Sequence, residues 1–249
     1  MRLKDKVAIV TGGASGFGRA ICELYAKEGA KVMVADINSE GAREVASGIG
    51  SAARHVACDV AKRGDVDQMV AETVEAFAGL DIMVNNAGYT HKNQPMLNVT
   101  EEEFDRVFAV NVKAIYFAAL AVVPVLERRG GGVIINTAST AGVRPRPGLT
   151  WYNASKGAVI MLTRSMAAEL APKKIRVCAI NPVIGETGML ERFMGAPDTP
   201  ENRARFIATI PWGRMSKPAD VANAALFLAE PASEFITGVA LDVDGGRCV

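Results

Sequence analysis

Histidine is scarce in this chain: His55 and His91 are the only two in 249 residues. A histidine-based metal centre or a Ser-His-Asp triad therefore has too little to build from. The four cysteines, Cys22, Cys58, Cys178 and Cys248, are far apart and form no Cys-x-x-Cys pair. That spacing predicts free thiols in a reducing compartment, without a disulfide frame or a metal site. Net charge is also nearly missing, with 28 Lys+Arg against 27 Asp+Glu. Such a balance offers no basic stripe to nucleic acid or to an anionic membrane surface. Long hydrophobic runs are lacking as well. The apolar stretch Val7 to Val10 is stopped by Gly12-Gly13, too short for a signal-peptide core or a membrane helix. The chain is expected in the cytoplasm, with no nucleic-acid, membrane or metal partner.

What is present is a core: 49% of the residues are hydrophobic, enough for one sizeable domain spanning 1–249. Apolar, β-rich runs occur at Val7–Val10, Lys31–Ala35, His55–Val60, Ile82–Val84, Val133–Asn136, Arg176–Ile180 and Val239–Val243. Helical spacing fills Arg19–Glu28, Asp65–Phe77, Glu102–Leu126, Asn153–Leu170 and Pro218–Leu228. Strands alternating with helices predict right-handed βαβ units. The fold class is α/β, a doubly wound Rossmann domain with a seven-stranded parallel sheet and helices on both faces. From Pro182 to about Pro218 the rhythm breaks, and a substrate lid is expected at about 183–217.

The first strand is followed by Thr11-Gly12-Gly13-Ala14-Ser15-Gly16-Phe17-Gly18 and then a helix. Gly12 permits a tight turn, Gly16 lets backbone approach a pyrophosphate, and Gly18 lets helix and strand pack closely. The helix N-terminus offers N–H groups and a positive dipole end to phosphate. Asp36 ends the second strand eighteen residues beyond Gly18, near the spacing of about 20 for the carboxylate that binds the adenosine ribose. Its charge repels a 2′-phosphate, and Ile37, Asn38 and Ser39 supply no cation; NAD is expected over NADP. Asp59 and Val60 close the third strand and Asn86, Ala87 and Gly88 follow the fourth, so they line the crevice at the strands' carboxyl ends. There Asp59 is placed to bond the adenine amine, Val60 to pack on its ring and Asn86 to border the ribose.

Tyr152 and Lys156 stand four apart at the start of a helix and so share a face. Ser139 follows the strand Val133–Asn136. Alcohol oxidation needs a base for the hydroxyl proton while hydride leaves carbon. A free tyrosine, with a pKa of about 10, is a poor base at neutral pH. A nearby lysine ammonium and a positive nicotinamide favour the phenolate. Ser139 is placed to hold the substrate oxygen.

With Thr11-Gly12-x-x-x-Gly16-x-Gly18, Asp59, Asn85-Asn86-Ala87-Gly88, Asn111, Ser139 and Tyr152-x-x-x-Lys156 all in order, the chain resembles a short-chain dehydrogenase/reductase over essentially its whole length. The resemblance implies that Tyr152 is the general acid/base, that Ser139 polarises the substrate oxygen, and that Lys156 also holds the nicotinamide ribose. It implies that Asn111 carries a water-linked proton relay through Lys156. Ser15, Phe17, Pro182, Val183 and Thr187 join the cofactor set, Thr187 as the carboxamide-binding hydroxyl. Where the family places Gly after Asn181-Pro182, this chain has Val183, which resists positive φ; the nicotinamide contact is expected to survive there through backbone groups. A homotetramer is also implied, with interfaces on the helices around Glu102–Leu126 and Asn153–Leu170.

On the substrate side Ile184, Met189, Leu190, Phe193, Met194 and Trp212 are candidates for an adaptable apolar lining. Arg144 and Arg146, with His91 and Lys92, are candidates for holding an anionic group. The expected function is an NAD-dependent alcohol dehydrogenase or ketone reductase acting on a small alcohol or ketone, anionic or sugar-like in character. The alternatives are a 3-oxoacyl-thioester (acyl carrier protein) reductase and, in another class, a catalytically silent NAD-sensing regulator.

Overall fold

The computed structural model describes residues 1–249. Seven strands, β1 (Val7–Thr11), β2 (Lys31–Asp36), β3 (Ala53–Ala57), β4 (Ile82–Asn85), β5 (Gly132–Thr137), β6 (Ile175–Pro182) and β7 (Ala240–Val243), form one sheet in the order β3-β2-β1-β4-β5-β6-β7. Every neighbouring pair is parallel. A parallel sheet is buried on both faces, so its strands are apolar runs without alternation. Thus Val7 to Val10 and Val133 to Ile135 are all buried.

Helices cover the two faces. On one, α1 (Gly16–Lys27), α2 (Ser39–Ile49) and α9 (Pro218–Ala229) pack through Ile21, Cys22, Tyr25, Ala42, Val45, Val221, Ala225 and Leu226. On the other, α3 (Arg63–Phe77), α5 (Ala114–Arg129) and α6 (Thr150–Leu170) contribute Val66, Met69, Phe117, Ala118, Val122, Leu126, Ala167 and Leu170. The run that leads into α5 begins as α4 (Glu101–Phe108), started by a capping box in which Thr100 and Glu103 satisfy each other's backbone N–H. It widens into a π-turn at Ala109–Lys113. By length and composition the whole stretch Glu101–Arg129 could cross a membrane. Lys113 lies within it, and Phe117, Ala118, Val122 and Leu126 on one side of α5 are buried against the sheet.

Several expectations shift. The third strand ends at Ala57, opposite Asp36; Asp59 and Val60 lie beyond it, because the Asp59 N–H is taken by the Asp65 carboxylate at 3.0 Å. Helix α2, not foreseen, is started by Asn38, whose side chain accepts from the Gly41 N–H. The segment 183–217 is more regular than expected. It holds α7 (Leu190–Met194) and α8 (Pro200–Ile207) around a small core of Val183, Ile184, Leu190, Met194, Ile210 and Met215.

Tyr25 is fully buried and its hydroxyl donates to the Ala225 carbonyl at 2.9 Å, tying α1 to α9. Tyr25→Phe removes that buried bond at an expected cost of about 1–2 kcal/mol in urea unfolding. The turnover number of the purified variant is expected to stay the same, since the bond lies far from the cavity described next.

Candidate active site

A cavity of about 550 Å³ runs along the carboxyl ends of the central strands. Asp36, Ile37, Asp59 and Val60 line one end, and Ser139, Arg146, Tyr152, Met189 and Phe193 the other. Between them lie Gly12, Ser15, Gly16, Phe17, Asn86, Ala87, Gly88, Pro182, Val183 and Thr187.

The glycine loop fits a dinucleotide. Gly12 and Gly16 hold positive φ of 66° and 53°, the region that favours glycine. A Cβ on Gly18 would fall 2.0 Å from the Gly12 carbonyl oxygen, so the tight helix–loop contact excludes any side chain. Ser15 precedes α1 without making a side-chain cap bond, which leaves the first helical N–H groups available to phosphate. The loop is braced from outside. Asp36 accepts from the Ala14 N–H at 3.0 Å and the Asn38 N–H at 2.9 Å. Asn86 donates to the Thr11 carbonyl at 3.0 Å, so its side chain is engaged with the loop even though it lines the cavity. No Lys or Arg lines the end that carries Asp36 and Asp59.

At the other end α6 delivers Tyr152 and Lys156, both buried. Lys156 Nζ donates to the Thr137 carbonyl at the end of β5 at 2.7 Å and stands 5.8 Å from the Tyr152 ring centroid. Ser139, just past β5, accepts from the Ala141 N–H at 3.1 Å. Burial pushes the Tyr152 phenol up to about 12, and the Ser139 hydroxyl and Arg146 cation beside it only partly offset this. Burial likewise pulls Lys156 down to about 8. The expectation that Lys156 lowers the Tyr152 pKa is thus not met by the chain's own charges. Loss of water around the phenolate outweighs the neighbouring cation.

Asn111 sits in the π-turn, 3% exposed. Its Nδ2 donates to the Tyr89 carbonyl at 2.9 Å and to Ser155 Oγ at 3.0 Å, and its Oδ1 accepts from the Tyr89 N–H at 2.9 Å. A Cβ built on Gly88 would lie 3.6 Å from Asn111 Oδ1 and 3.7 Å from Lys156 Nζ, so Gly88 sits between these two side chains at ordinary contact distance. Val183 adopts no positive φ. Its N–H donates to the Val243 carbonyl at 3.2 Å, and its side chain enters the lid core, so the departure from glycine is accommodated without strain. Thr187 reaches over the glycine loop against Gly16.

Of the substrate-side candidates, Ile184, Met189, Phe193 and Arg146 line the cavity. Phe193 packs edge-on against Tyr152 with ring centroids 5.1 Å apart. The others do not line it. Leu190 and Met194 turn into the lid's own core, and Trp212 is 75% exposed. Arg144 points away and donates to the Arg247 carbonyl at 2.6 Å. His91 is buried against the Lys92 carbonyl, at 2.8 Å. Arg106, overlooked in the sequence, also lines the cavity and stacks 4.5 Å over the Tyr89 ring. In Glu101-Glu102-Glu103-Phe104-Asp105-Arg106 it reads as one more exposed helix charge, and only the packing of α4 across Tyr89 reveals it.

The family model described as enoyl-(acyl carrier protein) reductase matches residues 12–247. The chain is 52% identical to the 4-formylbenzenesulfonate dehydrogenase of Comamonas testosteroni, covering 99% of each chain. It is 41% identical to the sorbitol dehydrogenase of Cereibacter sphaeroides, again over 99% of each. Among solved structures it is similar to the 3-ketoacyl-(acyl-carrier-protein) reductase of Brucella melitensis complexed with NADH. There the identity is 48% and the TM-score 0.94, over 99% of this chain and 100% of that one.

Lys156 generates a pH test on the cofactor-free protein. Its folded pKa, about 8, lies below its ordinary value of 10.5. Between those values the folded chain holds fewer protons than the unfolded chain, so stability rises with pH across that window. Relative to Lys156→Met, the parent protein is expected to gain stability as pH rises from 8 towards 10.5, by at most about 3 kcal/mol. A pH-independent gap in melting temperature between the two proteins would contradict the buried-cation assignment.

Proposed function

The chain belongs to the short-chain dehydrogenase/reductase family, and from that premise we propose the residue roles by which it works. It is an NAD(H)-dependent oxidoreductase that interconverts an alcohol and a ketone or aldehyde. One observation carries the assignment of roles: Ser139, Tyr152 and Lys156 converge at one end of a cavity whose other end carries Asp36.

Bound NAD supplies the hydride acceptor or donor and, when oxidised, a positive charge beside the phenol. The Tyr152 hydroxyl takes the proton from the alcohol, or returns it to the carbonyl oxygen in the reverse direction. The Ser139 hydroxyl donates a hydrogen bond to that same oxygen and so fixes it in place. Lys156, anchored by the Thr137 carbonyl, holds the nicotinamide ribose and passes protons between Tyr152 and solvent. Asn111 keeps this path in register by fixing Tyr89 and Ser155. Asp36 and Ile37 hold the adenosine ribose, Asp59 and Val60 the adenine, and Ser15, Gly16 and Phe17 the pyrophosphate. Thr187 on the lid binds the carboxamide. The buried Cys22, Cys58 and Cys178 suit a reducing, cytoplasmic location.

The test is nicotinamide absorbance over a panel of aldehydes, ketones, polyols and an acetoacetyl thioester. Turnover is expected with NADH at a kcat/KM at least about tenfold above that with NADPH, from repulsion of the 2′-phosphate by Asp36. Tyr152→Phe is expected to lower kcat by about 10²-fold or more, while NADH affinity, read by fluorescence, is kept. Full activity in that variant would remove Tyr152 from the chemistry. The 48% identity to a 3-ketoacyl-(acyl-carrier-protein) reductase supports a second reading. It prevails if the acetoacetyl thioester is the fastest substrate.

We also propose a homotetramer. Tyr116 and Leu120 on α5 and Met161 on α6 leave apolar side chains in solvent, a cost that subunit contact removes. Light scattering is expected to give the mass of a tetramer of the 26.3 kDa chain; a monomer mass would refute it.

A further inference from the structure

Arg146 stands at the substrate end of the cavity without a counter-charge. It lines the same wall as Ser139, Tyr152, Met189 and Phe193. Its guanidinium makes neither an ion pair nor a side-chain hydrogen bond, and rests 5.3 Å over the Phe206 ring. Two arginines of the lid are ion-paired, whereas Arg192 rests on the Tyr89 ring. Arg203 reaches Asp198 at 2.5 Å and Arg214 reaches Asp220 at 2.6 Å.

The surroundings make the imbalance larger. The charges that act on Arg146 come from Tyr152 and from Arg247, a second cation, with no carboxylate among them. One guanidinium nitrogen of Arg247, Nη1, is itself buried with no partner. Arg144 is drawn to the same spot through the Arg247 carbonyl. A partly buried guanidinium keeps five donors and a charge that deprotonation cannot relieve. Gathering such groups without an anion is costly, and the cost is recovered when an anion arrives.

The loop that carries Arg146 is held firmly. The Asn153 side chain donates to the Arg146 carbonyl at 2.8 Å. Gly148, two residues on, takes φ of 79° directly against Asn93, where a Cβ would come 2.1 Å from Asn93 Oδ1. Asn93 also accepts the lid by donating its backbone N–H to the Arg192 carbonyl at 3.1 Å. The guanidinium is therefore presented to the cavity by a fixed backbone.

We propose that Arg146 is the receptor for an anionic group, a carboxylate or sulfonate, carried by the substrate away from its reacting carbon. Met189 and Phe193 flank the apolar body between the two ends. The planar guanidinium pairs with two oxygens at once, and Arg247 adds positive potential from behind. The position of the reacting carbon at Tyr152 rests on the oxidoreductase reading; the anion site does not.

The experiment compares 4-formylbenzenesulfonate with benzaldehyde, which differ by the sulfonate alone, as substrates with NADH. Arg146→Ala is expected to raise KM for the sulfonate by about tenfold or more, the loss of a charge-assisted pair, and to lower kcat/KM for benzaldehyde much less, since benzaldehyde loses only the cation beside Tyr152. Arg146→Lys, which keeps the charge but not the fork, is expected to recover part of the loss. Arg144→Ala, outside the cavity, is expected to change neither. Calorimetric binding of benzenesulfonate to the NADH complex of each folded variant measures the same site without turnover. Equal losses on both aldehydes, unchanged benzenesulfonate affinity in Arg146→Ala, or no binding by the parent protein overturns the proposal. Arg146-dependent binding without turnover of any carbonyl leaves the anion site standing and overturns the oxidoreductase reading.

Discussion

Strands β1 and β4 are parallel neighbours, yet the chain leaves them towards opposite faces of the sheet. Helix α1 follows β1 onto one layer, and α4 and α5 follow β4 onto the other. The two connections must part at the carboxyl edge, and the crevice between them is where a doubly wound sheet binds its ligand. The rest of the site depends on that parting. The glycine loop fills one lip and the Asn85-Asn86-Ala87-Gly88 turn the other, and Asn86 bridges them by donating to the Thr11 carbonyl. The cavity then continues along β5 and β6 to the lid.

Electrostatics divides the cavity in two. The end with Asp36 and Asp59 holds two carboxylates, with Lys62 3.8 Å from Asp59; the other end carries Lys156 and Arg146. Burial raises the cost of charge on Tyr152 and on Lys156 alike, so neither group is poised by the chain alone. An oxidised nicotinamide bound there would add the positive charge that favours the phenolate. This links proton removal to the presence of the cofactor that takes the hydride. The lid adds a second dependence, because Phe193 rests on the Tyr152 ring.

Much of this was legible in the chain. Glycines at positions 12, 16 and 18, the carboxylate at 36, and a tyrosine and a lysine one helical turn apart are local patterns with local causes. The central apolar runs were equally plain, since a strand buried on both faces must be apolar throughout; the edge strands β3 and β7 are partly exposed. The third strand was misplaced because Asp65, a side chain in the next helix, ends it. Helix α2 was missed although Asn38 and Glu40 mark its start. The lid read as irregular because its helices, at five and eight residues, are too short to show a period.

By itself, the sequence determined the fold class, the glycine loop and the placing of Tyr152 and Lys156 on one helix face, because each follows from residue type at fixed spacing along one backbone. Tertiary structure alone decided which charges matter at the substrate end. Arg144 and Arg146 are equivalent as letters two positions apart. One is spent on the Arg247 carbonyl while the other faces the cavity without a carboxylate. That difference comes from a tail and a loop 103 residues apart meeting in space, which no local pattern encodes.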